Sequence, residues 1–168
     1  NIMQTVHIMT GLPASGKSTL ARELIDLSSN GIRRVTLDDI RNMLDTGASG
    51  ERSRSLSRGH EKTALDIQDG AVWVALDGGF DVVVDTTPLH PKIPGRLKRL
   101  VAGAAVFKVH DLTHITIEEC IRRDALRTGI AHVGEGAIRG LADRHAAALK
   151  SGWRLTDEWM NDAAPHSG

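Results

Sequence analysis

Tyrosine is missing from this chain of 168 residues, and aromatic residues make up only 3% of it. The core therefore has to be assembled from Val, Ile, Leu and Ala. There is one cysteine, Cys120, which excludes an internal disulfide and fits a reducing compartment. Net charge is missing too: 21 basic residues balance 21 acidic ones. That excludes a whole-chain basic footprint for nucleic acid and leaves room only for a local patch. No apolar run reaches the length of about 18 residues that spans a membrane, and no secretory signal pattern is present. The length suits a single domain over residues 1–168 with one core.

What the chain has in quantity is glycine, 17 residues, clustered where strands and helices stop. Thr5–Thr10 is a short β-rich run ended by Gly11, and Ser18–Leu27 carries helical apolar spacing closed by Asn30-Gly31. Arg33–Leu37 reads as a second strand, after which Asp38 caps a helix containing Ile40, Met43 and Leu44. Thr46–Gly59, rich in Ser, Gly and Arg, reads as a surface loop. A helix is expected over His60–Leu76, broken by Gly78-Gly79. Phe80–Asp85 holds three consecutive valines, the mark of a central parallel strand. Pro91–Val101 reads as helix, Ala104–Val109 as a fourth strand, and Ile117–Arg127 and Gly136–Leu149 as two helices. From about Ser151 to residue 168 a tail is expected, its Ala-Pro-His-Ser-Gly end frayed. Alternating strands and helices predict an α/β fold with a parallel sheet, which binds ligands at the carboxyl ends of its strands. Gly11, Asp38 and Asp85 all fall there.

Four motifs carry chemistry. Gly11-Leu12-Pro13-Ala14-Ser15-Gly16-Lys17-Ser18 is a complete P-loop between a strand and a helix. Its glycines let backbone N–H groups converge on phosphate, Lys17 can reach the β and γ phosphates, Ser18 can ligate Mg²⁺, and Thr19 can add a contact. ATP or another NTP, with magnesium, is the expected cofactor. Asp38-Asp39-Ile40-Arg41 opens a helix. Asp38 is open to two readings that are not exclusive: a helix cap, or the general base for a hydroxyl attacking the γ-phosphate. Arg41, one turn on, could hold an anion of the acceptor. Asp85 ends the valine strand, where an acidic residue helps hold magnesium, and Thr86 and Thr87 could bond a substrate phosphate. Pro88 and Pro91 would stiffen that loop.

The fourth motif is Arg123 and Arg127, which share a helix face. They read either as a solvated face paired with Glu118 and Glu119, or as an arginine lid over the transferring phosphoryl group. In the second reading Thr128-Gly129 and Val133-Gly134 are flexible joints. The eight histidines form no metal signature. Asp81 and Asp85 are four apart, which does not match the D-x-D-x-T of haloacid-dehalogenase phosphatases.

The order Gly11–Thr19, Asp38-Asp39-x-Arg41, Asp85-Thr86, Arg123 with Arg127 resembles the kinase domain of bacteriophage 5′-hydroxyl polynucleotide kinases over most of residues 5–145. The resemblance implies a P-loop kinase fold: a central parallel sheet of about four strands flanked by helices, with a helical arginine lid over about 116–140. It implies phosphoryl transfer from ATP to the 5′-OH of DNA or RNA in nucleic-acid repair. Lys17 and Ser18 would bind phosphates and magnesium, with Gly11, Pro13, Ala14, Ser15, Gly16 and Thr19 in the cradle. Asp38 would be the base, Arg41 and Thr86 would hold the 3′-phosphate of the terminal nucleotide, and Asp85 would support the metal. Arg127 would contact the ATP phosphates beside Arg123. It also implies a phage-encoded protein in the host cytoplasm.

Many members of that family continue into a 3′-phosphatase domain. The present chain shows none and is expected to be a stand-alone kinase or one domain of a larger protein. Leu37 stands where members often have a polar residue. Arg52, Arg54 and Arg58, or Lys92, Arg96, Lys98 and Arg99, are candidates for the acceptor channel, or ordinary solvated surface. Two other functions fit the same motifs: a small-molecule P-loop kinase, and a non-catalytic nucleotide-binding switch.

Overall fold

The computed structural model describes residues 3–29, 31–44, 58–87 and 89–162. Residues 46–57 of the expected loop, with Arg52 and Arg54, and also Pro88 and the expected frayed end lie outside the described residues.

Four short apolar runs form the sheet: β1 (Thr5–Thr10), β2 (Ile32–Thr36), β3 (Asp81–Asp85) and β4 (Val106–Asp111). They pair in parallel in the order β2-β3-β1-β4, with Val6 beside Val82, Ile8 beside Val84 and Thr36 beside Asp85. The side chains of β3 alternate between faces, as the two-residue repeat requires. Val82 and Val84 join Val6, Ile8, Val35 and Phe107 on one face, and Val83 joins Met9, Ala21 and Ile32 on the other. Val82, Val83 and Val84 are all fully buried. Each such side chain contributes about 1.5–3 kcal/mol relative to exposure, so β3 anchors the residues that follow it.

Helix α1 (Lys17–Leu27) covers the second face through Leu20, Ala21, Leu24 and Ile25. On the first face lie α3 (Arg58–Asp77), α4 (Lys92–Val101) and α7 (Asp157–Asn161); α2 (Leu37–Leu44) follows β2 without a gap and packs on α3 through Leu37, Ala64 and Leu65. Helices α5 (Ile117–Ala125) and α6 (Glu135–Lys150) dock at the carboxyl end of the sheet, where Leu12, Leu89, Cys120 and Ile138 form a separate buried cluster. The expected parallel α/β architecture is what is found.

Two departures have clear causes. Strand β4 starts at Val106 rather than Ala104, because Ala102 and Gly103 turn the chain with φ of 38° and 86° and the Ala104 N–H is spent on Val101 O. The expected tail contains α7, whose Met160 is 1% exposed in the main core. Thr156 caps α7 by accepting from Trp159 N at 3.1 Å. Asn161 exchanges two hydrogen bonds with the backbone of Phe107, at 2.8 and 2.9 Å, and Asp157 accepts from Val109 N. Lys98, a surface candidate by sequence, is consequently buried: its Nζ donates to Trp159 O at 2.6 Å and lies 4.6 Å from the Trp159 ring centre. Arg96 pairs with Asp66 and Asp69, so it too is engaged away from a channel.

Candidate active site

The loop after β1 is shaped by its backbone. Ala14 and Gly16 both have positive φ, 65° and 104°, and the Ser15 N–H closes a turn on Leu12 O. A Cβ at Gly11 would stand 2.5 Å from Ser15 Oγ, so a larger residue there would force the Ser15 side chain to shift. Lys17 is folded back across this loop, its Nζ donating to Gly11 O at 2.9 Å and Leu12 O at 2.7 Å. Burial pushes the Lys17 pKa down to about 8, against the pull of Asp85 and Asp38 and with some help from Arg127.

Beyond the loop, one cavity of about 370 Å³ collects residues from five segments. Pro13, Ala14, Lys17 and Ser18 come from the P-loop; Thr36, Asp38 and Arg41 from the end of β2 and from α2; Glu61 and Leu65 from α3. Asp85, Thr86, Thr87, His90 and Lys92 follow β3, and Arg127, Val133 and Arg144 close it from the α5–α6 side. The strand ends thus meet where the strand order reverses around β1, the usual ligand crevice of such sheets. Nine predicted site residues line this one cavity: Pro13, Ala14, Lys17, Ser18, Asp38, Arg41, Asp85, Thr86 and Arg127. Gly11, Ser15 and Gly16 shape the loop from behind. Thr19 is exposed on α1 outside the cavity.

Three polar arrangements set its electrostatics. Ser18 Oγ donates to Asp85 Oδ2 at 3.1 Å, and Asp85 is only 6% exposed. Two hard oxygens so placed suit magnesium, which takes few protein oxygens and completes its shell with water and phosphate. No cluster of three or more His, Cys, Asp or Glu suited to a metal exists among the described residues. Second, Arg41 is forked onto Glu61, with Nη2–Oε1 2.6 Å and Nε–Oε2 3.0 Å, and it also reaches Asp38 Oδ1 at 3.1 Å. This network holds the Glu61 carboxyl below its ordinary value and the Arg41 guanidinium above. Third, Thr86 Oγ1 is buried with no hydrogen-bond partner among the described residues. A buried hydroxyl left so is costly and asks for a ligand.

The segment read as a lid consists of α5, a 3₁₀ turn (Gly129–Ala131) and the start of α6. Arg127 faces the cavity, whereas Arg123 shares Glu119 with Arg122 and touches Ala14 O at 3.5 Å. Glu118 is in neither ion pair. Of the two expected joints, Val133-Gly134 is pinned: both N–H groups donate to the buried Asp124 carboxylate, at 2.9 and 2.8 Å. Sequence reasoning missed Arg34, Glu61, His90 and Arg144. Arg34 carried a readable signal, being a charge inside a strand that must find a partner.

Residues 6–148 match the model of a family described as AAA domain. No curated protein shows significant similarity to the chain. Among solved structures, the chain is similar to a component of the Pnkp1/Rnl/Hen1 RNA repair complex, with TM-score 0.76 and 23% identity. That match covers 93% of this chain but 48% of the other, so the chain spans about half its length. It is also similar to Kti12 of Chaetomium thermophilum solved with ADP-AlF3 (TM-score 0.59, 21% identity, 83% and 79% of the two chains). A third is the APS kinase CysC of Mycobacterium tuberculosis solved with AMPPNP and APS (TM-score 0.55, 20% identity, 75% and 71%). These likenesses are of fold, the P-loop kinase fold.

Proposed function

Since the chain belongs to the AAA domain family, we propose that it is a P-loop kinase that transfers the γ-phosphoryl group of ATP or another NTP to the 5′-OH end of DNA or RNA. The observation that carries this reading is the charge left over in the cavity. Asp85 is neutralised by Arg34 and Glu61 by Arg41, yet Lys92, Arg127 and Arg144 line the same cavity without an ion pair among the described residues. In a chain of zero net charge, such a concentration calls for anionic ligands at both ends. Lys17 and Arg127 suit the donor phosphates. Lys92 and Arg144 lie close enough to His90 to lower its pKa, burial being the larger cause, and they suit phosphates on the acceptor. The fold likeness to the RNA repair component is a second support.

The chemistry follows from the placement. The acceptor hydroxyl oxygen attacks the γ-phosphorus, its proton passes to the Asp38 carboxylate, and the bond to the bridging oxygen breaks to release ADP. Lys17 and Arg127 face charge that grows on the phosphoryl oxygens, and the Thr86 hydroxyl and Arg41 orient the acceptor. Ser18 and Asp85 would hold magnesium, which when bound neutralises the phosphates.

The cavity volume also admits one small phosphorylated alcohol, so a small-molecule kinase is the second reading. Transfer of ³²P from labelled ATP to a panel of 5′-OH oligonucleotides and small alcohols separates the two. Label on oligonucleotides is expected; label on small alcohols alone overturns the polynucleotide reading. NTP hydrolysis indifferent to every acceptor would point to a switch module instead.

A further inference from the structure

Arg34 stands in β2 two residues before the strand ends, and its guanidinium reaches across to β3. Nη2 lies 2.6 Å and Nε 3.3 Å from Asp85 Oδ2, and Nη2 stands 3.5 Å from Ser18 Oγ. One cation thus already rests on the two oxygens that suit a divalent ion. A carboxylate as buried as Asp85 requires such a partner, since an uncompensated charge there is strongly unfavourable. Arg34 has somewhere else to go. It also borders a second cavity of about 420 Å³, bounded by Thr36, Asp39, Ile40, Met43 and Ile67. Asp39 is exposed there and forms no ion pair among the described residues.

We propose that Arg34 is a movable counter-cation of the metal position: it neutralises Asp85 when no nucleotide is bound, and it withdraws toward Asp39 when a divalent cation arrives on the nucleotide phosphates. The proposal rests on Ser18 and Asp85 being metal oxygens. A guanidinium and a divalent ion repel strongly at hydrogen-bond range beside a carboxylate as buried as Asp85. With Arg34 in place, Asp85 offers little net charge to a bare ion. Metal loading then depends on the nucleotide. The rival role, a fixed clamp that presents Asp85 to the metal, predicts the opposite effect of removing the charge.

Manganese is the probe, its free concentration read by electron paramagnetic resonance. Without nucleotide, Arg34→Gln, which can still donate to Asp85, is expected to bind Mn²⁺ about tenfold more tightly than wild type. Equal or weaker binding by Arg34→Gln overturns the proposal. If wild type with ADP retains no more Mn²⁺ than ADP alone, the metal reading itself fails and takes the proposal with it. Should Arg34→Gln not fold, wild-type protein decides through the arginine Nε–H NMR signal held by Asp85. That signal is expected to move with Mg²⁺ and ADP together and to stay in place with Mg²⁺ alone; a signal unmoved by both overturns the proposal.

Discussion

The P-loop and the α2–α3 wall face one another across a single cavity, but they are held by different means. Gly11–Ser18 is contiguous and takes its shape from backbone torsions and from Lys17 bonding its own loop. The opposite wall is stitched from separate helices, Arg41 of α2 bridging Asp38 to Glu61 of α3. The first is prepared by local geometry; the second depends on an ion-pair network that a ligand can enter. Under the proposed function, donor binding and acceptor binding can therefore be damaged independently.

The strongest way to separate them is Asp38→Ala. It is expected to lower phosphoryl transfer by about 10²–10⁴-fold while leaving the dissociation constant of ADP within about twofold. Equal loss of both in a calorimetric titration would dissolve the distinction. Next is Glu61→Ala, which releases Arg41 from its fork. Since small misplacements of a positioning group cost up to about 100-fold, a rise of about ten- to 100-fold in acceptor KM is expected, with nucleotide KM unchanged. An acceptor KM that does not move would mean Arg41 is oriented by Asp38 alone.

The smallest effect belongs to the P-loop side and is a matter of pH. Lys17 has a pKa of about 8 in the folded chain against 10.5 for the free residue, and in the role proposed for it must be protonated to hold phosphate. ADP affinity should therefore fall about tenfold between pH 7 and pH 9, and Lys17→Met should lose that dependence along with most affinity. The sign for stability is opposite. Between about pH 8 and 10.5 the unfolded chain keeps a proton that the folded chain has released, so this group makes the nucleotide-free protein more stable as pH rises through that window. Melting curves at pH 8 and pH 10 for wild type and Lys17→Met isolate the contribution as the difference between their shifts.

The same contrast explains what could be read from the sequence. Local signals were legible: the valines of β3, the P-loop spacing, and Asp38 and Asp85 at strand ends were all visible within a few residues. Partners were not. Arg41 and Glu61 are 20 residues apart, and Arg34 and Asp85 are 51 apart. No helical or strand period links such pairs; the packing of α2 on α3 joins the first, and the parallel register that sets Thr36 beside Asp85 joins the second. Helix α7 was hidden for another reason. At five residues it is too short for a periodic pattern, and its hold on β4 comes from Asn161 and Asp157, polar residues that read as surface.

That hold has a consequence for solubility. β4 is the last strand of its sheet, and a bare last strand is a template for another chain to add to. The Asn161 amide occupies both the N–H and the C=O of Phe107, and Asp157 takes the N–H of Val109, so the side chains of a single helical turn imitate the neighbour that the sheet does not have. Those few residues blunt this edge of the sheet as a template for another chain.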